Sequence, residues 1–426
     1  MLSALRVSYE LENPKEVKRA MSALPLEGIR IISFTNGIAG PYAGRLLCDF
    51  GAEVIVVETR KRLDTFRRPR LVYPKDTEPD FDKSWSWAEY NRGKMSISVD
   101  LKKEEGRELI KRLVELSDAA IDNFGARVLR GFGLDYWGLR EVKSDFIMVS
   151  MQGLGQTGPE HEYVLWGMNL MPLAGLTYVW GFPDIPTPTG SGGYPTDYLA
   201  GVTAALMIMA AVEYRNRTGK GQFIDMAQVE NAATIMESVY MDYTVNGRLQ
   251  ERRGNHSPYA APYGAYPCMG EERWCAIEVR NDDEWRRFCG ALGNPPWTEE
   301  PRFATVLGRL DNRDELDRRV EEWTANRTHL EVMEVLQKAG VPAAAVLDGQ
   351  DQANCPQLAH RGTYVRIDHP KMGVASYPGV VMRLAESPGV ARRPALLGEH
   401  TAYVLGELLG LSEAEIRHLE EAEVLV

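Results

Sequence analysis

Between residues 29 and 150 the chain alternates short apolar runs with longer amphipathic stretches. No other feature narrows its fold as far. The runs fall at 29–34, 52–57 (closed by Glu58), 95–99, 119–121 and 146–150. The continuous apolar run at 52–57 fits a strand covered on both faces, and 103–117 reads as a helix. The first run leads into Asn36, Gly37, Gly40, Pro41 and Gly44, a glycine turn that opens a helix. Strands alternating with helices predict an α/β fold with a mostly parallel, doubly wound sheet. Ligands of such sheets sit at the carboxyl ends of the strands. Gly37, Glu58-Thr59-Arg60, Asn123-Phe124 and Gln152-Gly153 all fall at such ends. Gly37 to Glu58 has the spacing of a dinucleotide fingerprint, but the glycines read Gly-x-x-Gly-Pro-x-x-Gly and Pro41 removes a backbone donor. NAD is therefore not the expected ligand.

The chain's 426 residues suffice for two domains. A formal charge of -11, with no dominant basic stretch, speaks against nucleic-acid binding. Cys48, Cys268, Cys275, Cys289 and Cys355 form no Cys-x-x-Cys pair, so neither a zinc site nor a disulfide framework is expected, and dispersed thiols suit a cytoplasmic location. The first twenty residues mix both charges without an apolar core, so a secretory signal is not expected. The longest apolar stretch, 199–212, is too short for a bilayer and reads as a buried helix. An N-terminal extension covers 1–24 and a large domain 25–235. A linker over 236–249 leads to a small domain over 250–350, where prolines and aromatics give way to charged helical sequence. After Pro370 come a strand signal at 380–382, a turn at 396–401 and a helix at 402–408. A closing helix follows, opened by Ser412 and Glu415 as a capping box.

The segment 190–201 (Gly-Ser-Gly-Gly-Tyr-Pro-Thr-Asp-Tyr-Leu-Ala-Gly) delivers Asp197 to the mouth of an apolar helix expected from Tyr198 to Ala211. A carboxylate held against apolar surface is poorly solvated and becomes a better nucleophile. The competing reading is an N-cap, because Asp before an apolar run is a favoured cap. The residues alone leave both open. The polar turn 215–223 and a helix over 227–241 follow.

The chain resembles the family III CoA-transferases, the group of formyl-CoA:oxalate and carnitine CoA-transferases, from about Pro25 to its end. The resemblance rests on Pro25-Leu26-Glu27-Gly28-Ile29-Arg30, Ala39-Gly40-Pro41 and Asp49-Phe50-Gly51-Ala52-Glu53-Val54-Ile55. It continues through Asn91-Arg92-Gly93-Lys94, Asp100-Leu101, Asp122-Asn123-Phe124 and Gly133-Leu134. It closes on Thr218-Gly219-Lys220-Gly221-Gln222 and Leu396-Leu397-Gly398-Glu399-His400-Thr401.

This resemblance implies that Asp197 is the nucleophile of a ping-pong transfer through an aspartyl anhydride and an aspartyl-CoA thioester. It implies a CoA thioester as substrate, with no metal and no permanently bound cofactor. It also implies a Rossmann-like large domain built from both chain ends, with 351–426 returning to it. A smaller α+β domain and an interlocked dimer, with itself or with a related subunit, complete the picture. Ile38, Ala39, Arg60, Asn123, Phe124 and Arg130 are expected to line CoA. Gln152, Trp166, Met168 and Tyr194 are the expected acyl pocket. Relatives carry a basic residue near Gly131 and Gln152. This chain has neither, although Arg127 and Arg130 stand close. The family's glycine loop has only Gly254 in the matching stretch 253–258. Trp166, Met168, Tyr178, Trp180 and Phe182 are most often core, but facing the site they would favour a bulky or aromatic acyl group. The runner-up is an α-methylacyl-CoA racemase, whose Gly-His-Asp base is replaced here by Gly167-Met168-Asn169, with His161 upstream. A CoA-binding subunit of a heteromeric transferase is the third reading.

Overall fold

The computed structural model describes residues 24–68, 80–188, 190 and 192–426. The N-terminal extension, apart from Leu24, and Ser191 of the Asp197 loop lie outside the described residues. The chain divides into two compact units. One comprises residues 1–175, 191–240 and 360–426, the other 176–190 and 241–359.

In the first unit, β1 (Arg30–Phe34), β2 (Glu53–Glu58), β3 (Met95–Ser98), β4 (Ala119–Asp122), β5 (Ile147–Ser150) and β6 (Phe223–Asp225) form one sheet in the order 3-2-1-4-5-6. Every pairing is parallel. This is the doubly wound order, in which the chain reverses direction across the sheet between β1 and β4. Successive side chains of each strand enter opposite cores. Ile32, Phe34, Ile55 and Val57 face a layer that includes Leu109, Leu113, Val404 and Leu405. Ile31, Val54 and Ile121 face a layer that includes Ala39, Ala43, Ala200 and Ala204. The uninterrupted apolar runs follow from this double burial. β6 has only three residues inside a polar stretch that the sequence presents as a turn. Pairing of Met148 with Phe223 makes it a strand.

The crossover helices are α1 (Ala39–Asp49), α2 (Trp85–Asn91), α3 (Glu104–Glu115) and α4 (Tyr136–Val142), followed by α5 (Gly167–Leu173) and α6 (Pro195–Thr218). α6 has 24 residues, longer at both ends than its apolar run. Its length and composition would allow a membrane crossing, yet half of its apolar window is buried within the protein. Gly219, at φ 72°, ends it in the left-handed conformation, and its N–H donates to Arg215 O. The helix expected over 227–241 is two, α7 (Gln228–Ala233) and α8 (Glu237–Asn246), so helix occupies the stretch expected as a linker.

The second unit pairs β7 (Tyr263–Pro267), β8 (Trp274–Glu278) and β9 (Ala343–Ala345) antiparallel. Its core joins these strands to Trp285, Phe288, Leu316, Val320, Val332 and Leu336. The long helices α9 (Asp282–Ala291), α10 (Arg313–Thr324) and α11 (His329–Lys338) supply those residues. Back in the first unit, β10 (Tyr364–His369) and β11 (Gly373–Pro378) form a hairpin. The strand expected at 380–382 is absent, with Val381 and Met382 exposed, because the preceding hairpin takes the ladder bonds. The closing helix α12 (Glu413–Glu421) has the Ser412–Glu415 capping box.

Candidate active site

The chain leaves β1 through Thr35, Asn36 and Gly37, and leaves β4 through Asn123 and Phe124. These exits meet at the reversal of the sheet. Asn123 clamps them together: its Oδ1 accepts from Asn36 N at 2.9 Å, and its Nδ2 donates to Asn36 O at 2.9 Å. Asp64 holds the same turn from the other side, accepting from Gly37 N at 3.1 Å and Phe66 N at 2.7 Å. A cavity of about 430 Å³ opens here, lined by the loops after all six strands and by Asp197. Its size suits a small-molecule or cofactor ligand.

Asp197 reaches the cavity because α6 packs closely on α1. A Cβ at Gly201 would stand 2.8 Å from Tyr42 Cδ1 and 2.9 Å from Ala39 O, so only glycine allows this approach. Pro195 takes the first helical position and Tyr194 the N-cap, without a side-chain capping bond. Asp197 is thus the third helical residue and not the cap. Proline pre-set for the first turn shifts the helix start upstream of Tyr198. The Ala39 backbone N–H, at the start of α1, also faces the carboxylate. Two helix N-termini therefore supply partial positive charge to one anion.

Burial nonetheless dominates and pushes the Asp197 carboxyl up to about 6, against the pull of the Ala39 N–H. Two further carboxyls are also raised by burial, Asp64 on the cavity wall to about 6 and Asp122 behind it to about 7. They differ from Asp197 in their partners. Asp122 accepts from Phe124 N, Gln152 Nε2 and Ser150 Oγ. Glu58 pairs with Arg67, and Asp100 with Lys61 at 3.0 Å. Asp197 Oδ2 is buried without a hydrogen-bond partner among the described residues. Gly167 makes room for that oxygen, since a Cβ there would collide with it.

Of the residues expected around CoA, Ile38, Asn123 and Phe124 line the cavity, and Ala39 contributes its N–H toward Asp197. Arg60 does not line it: its guanidinium lies 5.5 Å from the Phe81 ring centroid. Arg130 sits on the exposed turn Val128–Gly131 and is likewise outside the lining. Arg127 pairs with Glu162 at the surface. Lys61, Arg62 and Lys102 are the basic residues on the wall. In the acyl pocket, Gln152 and Trp166 line the cavity. Met168 is 70% exposed and outside it, while Tyr194 packs against Gly167, its Cδ1 2.9 Å from a Cβ placed there. Tyr178, Trp180, Phe182 and the 253–258 stretch belong to the second unit. His161 does line the cavity, its Nδ1 2.7 Å from Gly158 O. Sequence reasoning missed Asp64, Lys61, Arg62, Lys102 and Gln228. Lys61 and Arg62 lie just beyond the β2 end already singled out, and Lys102 lies beyond β3, whose end was not. Gln228 was hidden with β6.

The pattern of CoA-transferase family III matches residues 26–401. Succinyl-CoA–D-citramalate CoA-transferase of Chloroflexus aurantiacus is 34% identical over 403 residues, covering 94% of this chain and 98% of the relative. The alpha subunit of a succinyl-CoA–L-malate CoA-transferase, also from Chloroflexus aurantiacus, is 32% identical, covering 94% of this chain and 93% of the relative. A solved CAIB/BAIF family protein of Brucella suis superposes with a TM-score of 0.81 at 31% identity, over 91% of this chain and 100% of that one. The parallel sheet, the cavity at its reversal and these likenesses agree: this chain belongs to CoA-transferase family III.

Proposed function

We propose that this chain moves CoA from an acyl-CoA to a carboxylic acid, with Asp197 as covalent nucleophile. The observation that carries the reading is the buried Oδ2 of Asp197 at the cavity, without a partner among the described residues. An Asp197 oxygen attacks the thioester carbonyl, and the C–S bond breaks to give an aspartyl mixed anhydride and CoA thiolate. The thiolate attacks the aspartyl carbonyl and releases the donor acid, leaving an aspartyl-CoA thioester. The acceptor carboxylate attacks that thioester and frees the thiolate again. The thiolate then attacks the acceptor's own carbonyl, giving the new acyl-CoA and regenerating the Asp197 carboxylate. Each step exchanges one acyl bond for another, so positioning and oxyanion donors supply the catalysis. The Ala39 N–H is one such donor. Lys61, Arg62 and Lys102 are the groups suited to CoA phosphates.

Succinyl-CoA is the proposed donor, because relatives similar to this chain are named for it. Trp166, half exposed on the wall, keeps bulky and aromatic acids among the acceptors to be tried. The proposed assembly is an interlocked dimer in the cytoplasm, with a second copy or a related subunit. A relative named as an alpha subunit supports the second form. α6 supports either, since it exposes Val202, Leu206 and Met209 along one face. The test is CoA exchange between succinyl-CoA and a panel of acids, followed by chromatography with and without EDTA. Exchange unaffected by EDTA supports the reading, and no exchange with any acid refutes it.

A further inference from the structure

The cavity holds two further orphaned atoms. Gln152 and Gln228 both line it and are only 5% and 7% exposed. Gln152 donates its amide to Asp122 Oδ2 at 2.8 Å, and Gln228 donates its amide to Met151 O at 2.6 Å. Turning Gln228 over would set its oxygen against the Met151 carbonyl, and turning Gln152 over would set its oxygen against the ionised Asp122 carboxylate, so these contacts define which end of each amide is spent. Among the described residues, Gln152 Oε1 and Gln228 Oε1 have no partner. The backbones of the two residues are joined. The β5–β6 ladder continues past the strand ends through Met226 N to Ser150 O at 2.9 Å and Gln228 N to Gln152 O at 3.0 Å. α7, which begins at Gln228, packs against both α5 and α6, the helices that carry Gly167 and Asp197.

An amide oxygen only accepts. Two buried acceptors on the wall of one cavity call for a hydrogen-bond donor on the ligand, since an unsatisfied buried acceptor is costly. The carboxylate of an acid and the carbonyl of a thioester offer none. We infer that Gln152 and Gln228 form an acceptor pair that selects acids carrying a hydroxyl group near the reacting carboxyl. The inference rests on the CoA-transfer reading of the site. It places the acyl end of the substrate on the α7 side of the cavity, beside Asp197. The amide N–H groups of the pantetheine arm of CoA are the other donors that could meet this pair, and the test separates the two.

The experiment compares 2-hydroxyglutarate, as each enantiomer, with glutarate as acceptors from succinyl-CoA. The full-length wild type is assayed beside Gln152→Met and Gln228→Met. In parallel, titration calorimetry measures binding of malyl-CoA, succinyl-CoA and free CoA. One hydroxy enantiomer should exceed glutarate in kcat/KM by at least about tenfold, because a site built around a hydroxyl rejects the analogue lacking it. Wild type should bind malyl-CoA more tightly than succinyl-CoA by a similar factor. Both ratios should collapse toward unity in the two variants. The wild-type comparisons stand even if a variant fails to fold. Equal or better use of glutarate by the wild type, with exchange intact, overturns the hydroxyl inference alone. Variants that lose affinity for free CoA as much as for malyl-CoA also overturn it, and assign the pair to pantetheine. Absence of both exchange and acyl-CoA binding overturns the inference together with the CoA-transfer reading.

Discussion

Gly167 and Asp197 share one small volume: the hydrogen face of the glycine is where the carboxylate oxygen Oδ2 lies, and a Cβ would collide with it. Gly167 opens α5 and Asp197 lies in the first turn of α6, so two helix starts are fitted around one anion. Gly167→Ala should leave the sheet folded, because the added methyl meets a side chain and not a strand. It should displace the carboxylate and lower kcat by about a hundredfold, the cost of a misplacement on the scale of an ångström. Steady-state kinetics with circular dichroism checks this. A variant with full activity would show that Asp197 does not react from this position.

The Asp197 carboxyl is raised by burial to about 6, well above its ordinary value of 3.8. The folded state therefore holds this proton more tightly than the unfolded chain does. Ionising the group costs stability. The cost is absent well below pH 4 and fully present above about pH 6. Asp197→Asn removes it, so the variant should be more stable than wild type at pH 7, by roughly 1 to 3 kcal/mol. The gap should close as pH falls from 6 toward 4. Thermal unfolding across that range is the measurement. The same titration requires kcat/KM of the wild type to fall below about pH 6, as the nucleophile takes up its proton. A destabilised Asn variant at pH 7 would mean that the carboxylate is structural.

The exposed α6 face of Val202, Leu206 and Met209 bears on assembly. Light scattering on the purified protein should show a dimer, or a heteromer when a related subunit is co-expressed. Leu206→Glu, 54% exposed in the chain, should shift the population toward monomer without unfolding it. A well-folded wild-type monomer at working concentration contradicts the proposed assembly.

Racemisation requires a base on each face of the α-carbon. By the resemblance, Met168 stands where a racemase would have its histidine. His161 lines the cavity, but its Nδ1 is engaged with Gly158 O at 2.7 Å. Incubation of a 2-methylacyl-CoA in deuterium oxide should give no α-deuterium. Rapid incorporation would make His161 and Asp197 the two bases and replace the transfer reading.

The sheet was legible because four of its first five strands carry apolar runs, and β3 alternates Met95 and Ile97 with serines, patterns the residues carry locally. β6 was not, because Phe223–Asp225 becomes a strand only through pairing with β5. Asp197 could be picked out from its loop and helix, but its separation from the cap depended on Pro195 starting the helix early. Arg60 was chosen where Lys61 and Arg62 line the cavity, because the turn after β2 decides which of these neighbouring side chains faces the cavity and the residues themselves do not show its course. Gly167 gives no local sign of its role. Its lack of a side chain matters only against Asp197, which the fold brings to it.

The central claim is that the carboxyl of Asp197 becomes an acyl group during turnover. Wild-type enzyme given succinyl-CoA and quenched with hydroxylamine, then digested and analysed by mass spectrometry, tests it most directly. The account predicts an aspartyl hydroxamate on the peptide containing Asp197, formed only when acyl-CoA is present and absent in Asp197→Asn. An unmodified Asp197 peptide under conditions of demonstrated CoA exchange, or an Asn variant that exchanges CoA without reverting to Asp, would contradict it.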